Sequence, residues 1–188
     1  MSGGQELKTE YGCLFCRSGS EGRLVAELER YFPEVKTVIP RKKRIRRMGG
    51  QAFEEEVTLF PGYVFFRVEA DSMYRPRLLT RARDAYRVLV DADGSWRLSG
   101  VDRVMAETLF GTEGVVGFSK AYFQGDRIRI LDGLLKAYEG CIERVNKRAR
   151  TAQIRIDLQG KIMRVWLGYE LIEREDSPGN DAAPTAEP

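Results

Sequence analysis

The feature that most constrains this fold is an apolar run that a Pro-Gly pair interrupts near its start. Residues 59–66 read Leu-Phe-Pro-Gly-Tyr-Val-Phe-Phe, a composition typical of a β-strand. Pro61 lacks a backbone donor and Gly62 tolerates a positive φ, so the pair predicts a bend where the strand enters its sheet. We therefore expect Phe60 and Tyr63 to lie outside the core, although a buried, kinked strand would have the same sequence.

Composition narrows the classes of protein that this chain fits. Its 188 residues, 43% of them hydrophobic, suit one ordinary domain or two small ones. The chain has no histidine, the usual general base at neutral pH and the commonest metal ligand, and we find no paired-carboxylate or phosphate-loop motif. The sequence therefore predicts a protein that is not an enzyme and needs no cofactor or metal.

Hydropathy predicts where the protein works. No apolar run approaches the ~20 residues of a membrane helix, and residues 1–8 lack the apolar core of a signal peptide. We expect a cytoplasmic monomer with no membrane partner.

Cys13 and Cys16 form a C-x-x-C motif. Such a motif is typical either of a redox pair or of one half of a zinc site. Cys141 is the only other cysteine, so four ligands are not available. The surrounding residues predict a strand, in which the two thiols point to opposite faces. We interpret both as packing residues in a reducing compartment.

The whole chain predicts an α+β fold, with a β-α-β-β-α-β-α order followed by short strands. Ser18 and Glu21 have capping-box spacing and predict the start of a helix that Pro33 ends. The later elements are a strand at 35–40 that the basic run 41–47 extends, a hairpin with a polar tip at 48–51, a strand through Val68, a short helix carrying Tyr74, Leu78 and Leu79, a strand at 86–90, and a helix from Ser99 to Gly111.

The C-terminal part contains five short alternating segments punctuated by glycines, which predict a small five-stranded β-barrel. One of these predicted strands covers residues 138–145. The predicted boundaries are an N-terminal α/β sandwich at 10–115, a linker at 116–122, the barrel at 123–174 and a disordered tail at 175–188.

The N-terminal part resembles the NGN domain of NusG-type transcription elongation factors. The resemblance rests on Tyr11, Ser18-Gly19-x-Glu21-Gly22-Arg23, Val38-x-Pro40 and Phe60-Pro61-Gly62-Tyr63-Val64. The C-terminal part resembles a KOW domain through Gly125-Asp126-x-Ile128-x-Ile130-x-Asp132-Gly133 and Glu139-Gly140. The ending Val165-Trp166-Leu167-Gly168-Tyr169-Glu170-Leu171-Ile172 departs from housekeeping NusG and is similar to the LoaP-type specialised antiterminator paralogs.

This resemblance implies that the NGN domain docks on the clamp of RNA polymerase through an apolar face. Aromatic side chains offer large contact areas at low entropy cost, while some of these residues would equally fit an ordinary core. The candidate polymerase-binding residues are Tyr11, Phe60, Tyr63, Phe65 and Arg17.

The basic residues concentrate in local clusters although the formal net charge is only +3. Arg41, Lys42, Lys43 and Arg44 are candidates to contact upstream or non-template DNA, or they pair with the facing Glu54-Glu55-Glu56. Loops meeting at one end of the barrel would bind a nascent RNA hairpin, and the alternative is a solvated basic turn. The candidate RNA-binding residues are Lys136, Asn146, Lys147, Arg148, Arg150, Lys161 and Arg164.

These expectations combine into a processive antiterminator that binds RNA polymerase and a nascent RNA hairpin. The alternative is a housekeeping factor that links the polymerase to Rho or the ribosome by protein contacts alone.

Overall fold

The computed structural model describes residues 9–69 and 82–172 and confirms the predicted α+β class. The N-terminal elements are β1 (Thr9–Cys16), α1 (Glu21–Tyr31), β2 (Lys36–Val38), β3 (Arg41–Met48), β4 (Gln51–Thr58), β5 (Tyr63–Glu69), β6 (Ala85–Val88), α2 (Gly100–Gly111) and β7 (Val115–Val116). The C-terminal elements are β8 (Ser119–Gln124), β9 (Arg127–Ile130), α3 (Leu134–Ala137), β10 (Ile142–Asn146), β11 (Thr151–Leu158) and β12 (Lys161–Leu171). The short helix predicted around Tyr74, Leu78 and Leu79 and the predicted tail at 175–188 lie outside the described residues.

A four-stranded sheet with the order β2-β5-β1-β6 organises the N-terminal part. Because side chains alternate along a strand, β1 divides its residues between two cores. Cys13 packs with Met105 and Leu109 of α2, whereas Cys16 packs with Leu24 of α1 on the other face. The prediction that the two cysteines are buried on opposite faces is therefore confirmed, and burial raises the pKa of both thiols.

The start of α1 differs from the predicted capping box. The N-cap is Ser20, without a side-chain capping hydrogen bond, and Glu21 is the first helical residue. The Glu21 carboxylate instead accepts a hydrogen bond from the backbone N–H of Gly62 (2.6 Å). The Glu21 carboxylate, which a capping box would bond to the backbone at the start of α1, therefore bonds to a residue distant in the chain.

Strands β3 and β4 form the predicted long hairpin, which we call the ribbon, with β7 pairing beside its base. The strand predicted at 35–40 does not continue into it, since β2 pairs with β5 in the central sheet while β3 pairs with β4. The tip is not purely polar, because Met48 and Phe53 are exposed near the turn.

The C-terminal strands form a curled five-stranded sheet with the order β10-β11-β12-β8-β9, which fits a KOW-like barrel. The first of these strands along the chain, β8, begins at Ser119, inside the predicted linker. The strand predicted at 138–145 is wrong over its first residues, because Glu139–Cys141 form a 3-10 turn after α3. Leu134, Leu135 and Tyr138 have helical spacing and are all buried, so packing overrides the alternating pattern there.

Among the described helices, none is both long enough and apolar enough to cross a membrane.

Candidate functional sites

Three aromatic rings meet at the end of the central sheet and form what we call the aromatic cluster. The ring centroid of Phe15 lies 5.3 Å from that of Tyr63 and 5.7 Å from that of Tyr86. Phe15 and Tyr63 are half-buried, and Tyr86 is 59% exposed. The Arg87 guanidinium lies 5.7 Å from the Phe15 ring. The arrangement presents flat apolar area to solvent beside one cation, which suits a protein-binding surface.

The Pro61-Gly62 bend places Tyr63 in this cluster, and contacts on two sides fix the bend. Gly62 has φ +85°, and its carbonyl accepts a hydrogen bond from the N–H of Cys16 (2.8 Å). A Cβ at Gly62 would stand 3.0 Å from the Cys16 carbonyl oxygen. Together with the Glu21 contact, these bonds hold β5 in register, so that Tyr63 lies opposite Phe15.

A β-bulge on β6 supplies the third ring. Phe15 pairs with Arg87 and Cys16 with Ala85, so Tyr86 is the extra residue. Sequence reasoning missed both Phe15 and Tyr86. Alternation from Tyr11 through Cys13 could have found Phe15. Tyr86 had no local signal, because the bulge exists only in the pairing of β6 with β1.

The predicted polymerase-binding residues separate into buried and accessible groups. Tyr11, Phe60 and Phe65 are buried in the core, and Tyr63 is half-buried. The expectation that Phe60 lies outside the core is wrong, since its side chain is 1% exposed. Its ring turns inward at the bend and packs near Tyr63 and Phe65, with both centroid distances 6.4 Å. Arg17 is exposed just after β1.

Cross-strand carboxylates pair with three of the four predicted cations on the ribbon. Arg41 pairs with Glu56 (2.8 Å), Lys43 with Glu54 (2.6 Å) and Arg44 with Glu55 (2.6 Å). These exposed pairs contribute little to stability, but they reduce the positive charge available to a nucleic acid.

Lys42, the remaining ribbon candidate, reaches the barrel. Its ammonium donates to the backbone carbonyl of Trp166 (2.5 Å). Burial, together with the neighbouring Arg44 charge, lowers the pKa of Lys42. The structure therefore leaves none of the four predicted ribbon residues free of a protein partner.

The turn between β10 and β11, residues 146–150, carries a compact positive group that we call the basic turn. The Asn146 side-chain oxygen accepts from the N–H of Ala149 (2.8 Å), so this carbonyl shapes the turn. The Lys147 ammonium lies 4.7 Å from the centre of the Phe123 ring and 3.3 Å from Asp126. Arg148 and Arg150 are exposed.

The other predicted RNA-binding residues lie away from this turn. The expectation that the basic loops meet at one end of the barrel is therefore wrong. Thr151 pairs with Gly168 and Leu158 with Lys161, so β11 separates the basic turn from Lys161 by about 23 Å. Lys136 pairs with Glu139 (3.2 Å) and Arg164 with Glu143 (2.8 Å). Loop composition could not reveal this separation, because the strand register decides which turns share an end.

The far end of the barrel, near Lys161, contacts α2 and the loop before it, which the sequence did not predict. The backbone N–H of Gln159 donates to Asp102 (3.3 Å), and its side-chain amide donates to the Arg97 carbonyl (3.2 Å). The Tyr138 hydroxyl donates to the Val101 carbonyl (3.5 Å). Burial raises the pKa of Asp102 to about 6, against the opposing effect of the Gln159 hydrogen bond.

Comparison with solved structures shows that this is the NusG fold. The chain matches a solved structure described as "Domain interaction in Thermotoga maritima NusG", with a TM-score of 0.52 and 19% sequence identity over 86% of this chain and 94% of that one. The sequence is 21% identical over 168 residues to the protein of Pasteurella multocida (strain Pm70) named "Transcription termination/antitermination protein NusG", covering 84% of this chain and 90% of that protein. No family model matches the chain.

Proposed function

We propose that this chain is a NusG-type transcription elongation factor that acts as a processive antiterminator. In this proposal, residues 10–115 dock on the RNA polymerase clamp, 116–122 link the two parts and 123–174 bind a nascent RNA hairpin. The NusG fold and the similarity to a protein named for termination and antitermination support the general class. The role is cytoplasmic and requires no catalysis by this chain.

The observation that carries the polymerase part is the half-exposed aromatic cluster. Tyr63 and Tyr86 present ring surface at the sheet end, while Arg87 adds a cation at its rim. Such aromatic residues dominate the energy of many protein interfaces. Tyr11, Phe60 and Phe65 support this surface from within the core rather than contacting the clamp, whereas exposed Arg17 remains a candidate contact.

We predict that Tyr63→Ala or Tyr86→Ala weakens binding to core RNA polymerase. Truncating an interface aromatic costs on the order of 2 kcal/mol, about thirtyfold in affinity. A quantitative pull-down would measure this loss, and circular dichroism would verify that each variant keeps its fold.

Tyr31→Ala is the matched control for the polymerase measurement. Tyr31 is 61% exposed, close to the 59% of Tyr86, but it ends α1 on the opposite face of the sheet. It should bind polymerase like the unchanged protein. Equal losses in Tyr31→Ala and Tyr86→Ala, or no loss in either cluster variant, would contradict the assignment.

For the RNA part, the basic turn offers Lys147, Arg148 and Arg150 together on one exposed loop. Phosphate contacts carry no sequence information directly, so antitermination at chosen operons needs base-edge or shape recognition as well. The LoaP-like ending between Val165 and Ile172 favours this specialised role over a housekeeping one.

We predict that the full chain binds the leader RNA hairpin of its neighbouring operon more tightly than a scrambled hairpin of equal length. Replacing Lys147, Arg148 and Arg150 by Ala should weaken that binding and reduce its salt dependence by up to about three phosphate contacts. Gel-shift titrations over a salt series would measure both effects. Equal affinity for the two hairpins would instead favour the housekeeping role, in which the factor links polymerase to Rho or the ribosome.

A further inference from the structure

The outer face of the barrel carries a row of polar and aromatic side chains across three strands. Arg144 on β10 pairs with Gln153 on β11, and Gln153 pairs with Trp166 on β12. The residues next to them in the chain, Val145, Ala152 and Leu167, pack in the core. Because side chains alternate along a strand, Arg144, Gln153 and Trp166 point outward. In the next outward row, Arg155 lies opposite Arg164. We use the name outer row for the five residues of these two adjacent rows, which are Arg144, Gln153, Trp166, Arg155 and Arg164.

Two of the arginines in the outer row contact no protein group in the part of the chain that the structure describes. Arg144 and Arg155 are exposed, and no ion pair, hydrogen bond or ring contact engages either guanidinium within residues 9–69 and 82–172. The ribbon behaves differently, since its Arg41 and Arg44 each have a cross-strand carboxylate. The charge on Arg144 and Arg155 is therefore available to an external anion.

Trp166 lies among these cations as a half-buried side chain on the outside of the barrel. Its carbonyl accepts from the Lys42 ammonium, so the ribbon base extends the positive charge past β12. Arg44 lies on the same ribbon face as Lys42, but its guanidinium is paired with Glu55 (2.6 Å), so Lys42 is the ribbon cation nearest to the outer row. An indole bordered by guanidinium groups combines a stacking surface with phosphate-binding groups.

We propose that the outer row binds single-stranded RNA, with Trp166 stacking on a base and Arg144 and Arg155 binding phosphates. Gln153, between Arg144 and Trp166, offers an amide that both donates to and accepts from a base edge. The inference rests on the proposed RNA-binding function and extends its site from the basic turn onto the strand surface. Single-stranded RNA fits better than an acidic protein segment, because a flat indole between cations matches alternating bases and phosphates.

Tryptophan fluorescence tests this proposal directly. The chain has two tryptophans, and Trp96 stacks on Phe66, so Trp96→Phe leaves Trp166 as the reporter. Titrating the full-length variant with a 12-nucleotide oligouridylate should quench its emission. The same oligouridylate, carrying a fluorescent label, is also titrated with the chain that keeps both tryptophans. Its fluorescence anisotropy gives the affinity even if Trp96→Phe fails to fold.

The double variant Arg144→Ala, Arg155→Ala should bind the oligouridylate about tenfold more weakly. Its log–log salt slope should fall by about 1.4, which corresponds to two single-strand phosphate contacts. Arg23→Ala with Arg30→Ala is the matched control. This control removes the same charge from α1. The barrel shares a core with one face of the central sheet, and α1 packs on the other face, so the control variant should bind the oligouridylate normally.

The possible outcomes separate this inference from the broader function. Oligouridylate binding that leaves Trp166 emission unchanged and weakens only in a Lys147→Ala, Arg148→Ala variant would overturn the outer row and keep RNA binding at the basic turn. Failure to bind either oligouridylate or the leader hairpin would overturn both proposals. If polyglutamate quenched Trp166 and competed as well as RNA, the surface would bind acidic protein and the inference would be wrong.

Discussion

Phe60→Ala should lower the free energy of unfolding by about 3–5 kcal/mol, the range for truncating a buried phenylalanine. Phe60 is 1% exposed, and its ring packs near those of Tyr63 and Phe65, so alanine would leave a cavity beneath the Pro61-Gly62 bend. Denaturant titration followed by circular dichroism would measure the loss.

Tyr63→Ala provides the comparison for Phe60→Ala at the same bend. Tyr63 is half-buried, so its truncation should cost less stability while it weakens polymerase binding more directly. The pair of variants therefore distinguishes a supporting core residue from a contact residue. A Phe60→Ala protein with unchanged stability but lost polymerase binding would show that Phe60 is itself the contact.

Gly12→Ala should also destabilise the protein, by about 1–3 kcal/mol or more, because it overpacks a filled space. A Cβ at Gly12 would lie 2.3 Å from the tip of the Phe66 ring, which in turn stacks on Trp96 with centroids 5.5 Å apart. The Phe66 side chain is fully buried, so the ring cannot move aside into solvent. The same denaturant titrations would measure the effect.

A double-mutant cycle tests whether the Phe66 ring is the cause. Phe66→Leu alone should destabilise by losing ring contacts, but it should make room for the new methyl group in Gly12→Ala. The combined variant should therefore be more stable than the sum of the single losses implies. Strict additivity would mean that Gly12 is required for another reason. Gly22→Ala is the control, since a Cβ there would contact nothing within 4 Å.

The Pro61-Gly62 bend and the orientation of the rings around it differ in how far the sequence predicts them. The bend at Pro61-Gly62 was predicted because both residues impose their backbone preferences locally. The sequence does not predict which ring points outward, and the expectation that Phe60 lies outside the core is wrong. That outcome depends on the pairing of β5 with β1, which places Tyr63 opposite Phe15, and on the Glu21 hydrogen bond to Gly62.

By itself, the sequence determined the α+β class, the ribbon, the opposite faces of Cys13 and Cys16, and the helix at Gly100–Gly111, since periodicity and turn residues act over short distances. Only the tertiary structure decided which charges remain free. Register paired Arg41 and Arg44 with glutamates, left Arg144 and Arg155 without a partner among the described residues, and separated Lys161 from the basic turn by the length of β11. These results depend on contacts between segments distant in the chain, and a one-residue shift in any strand pairing would exchange the inward and outward side chains.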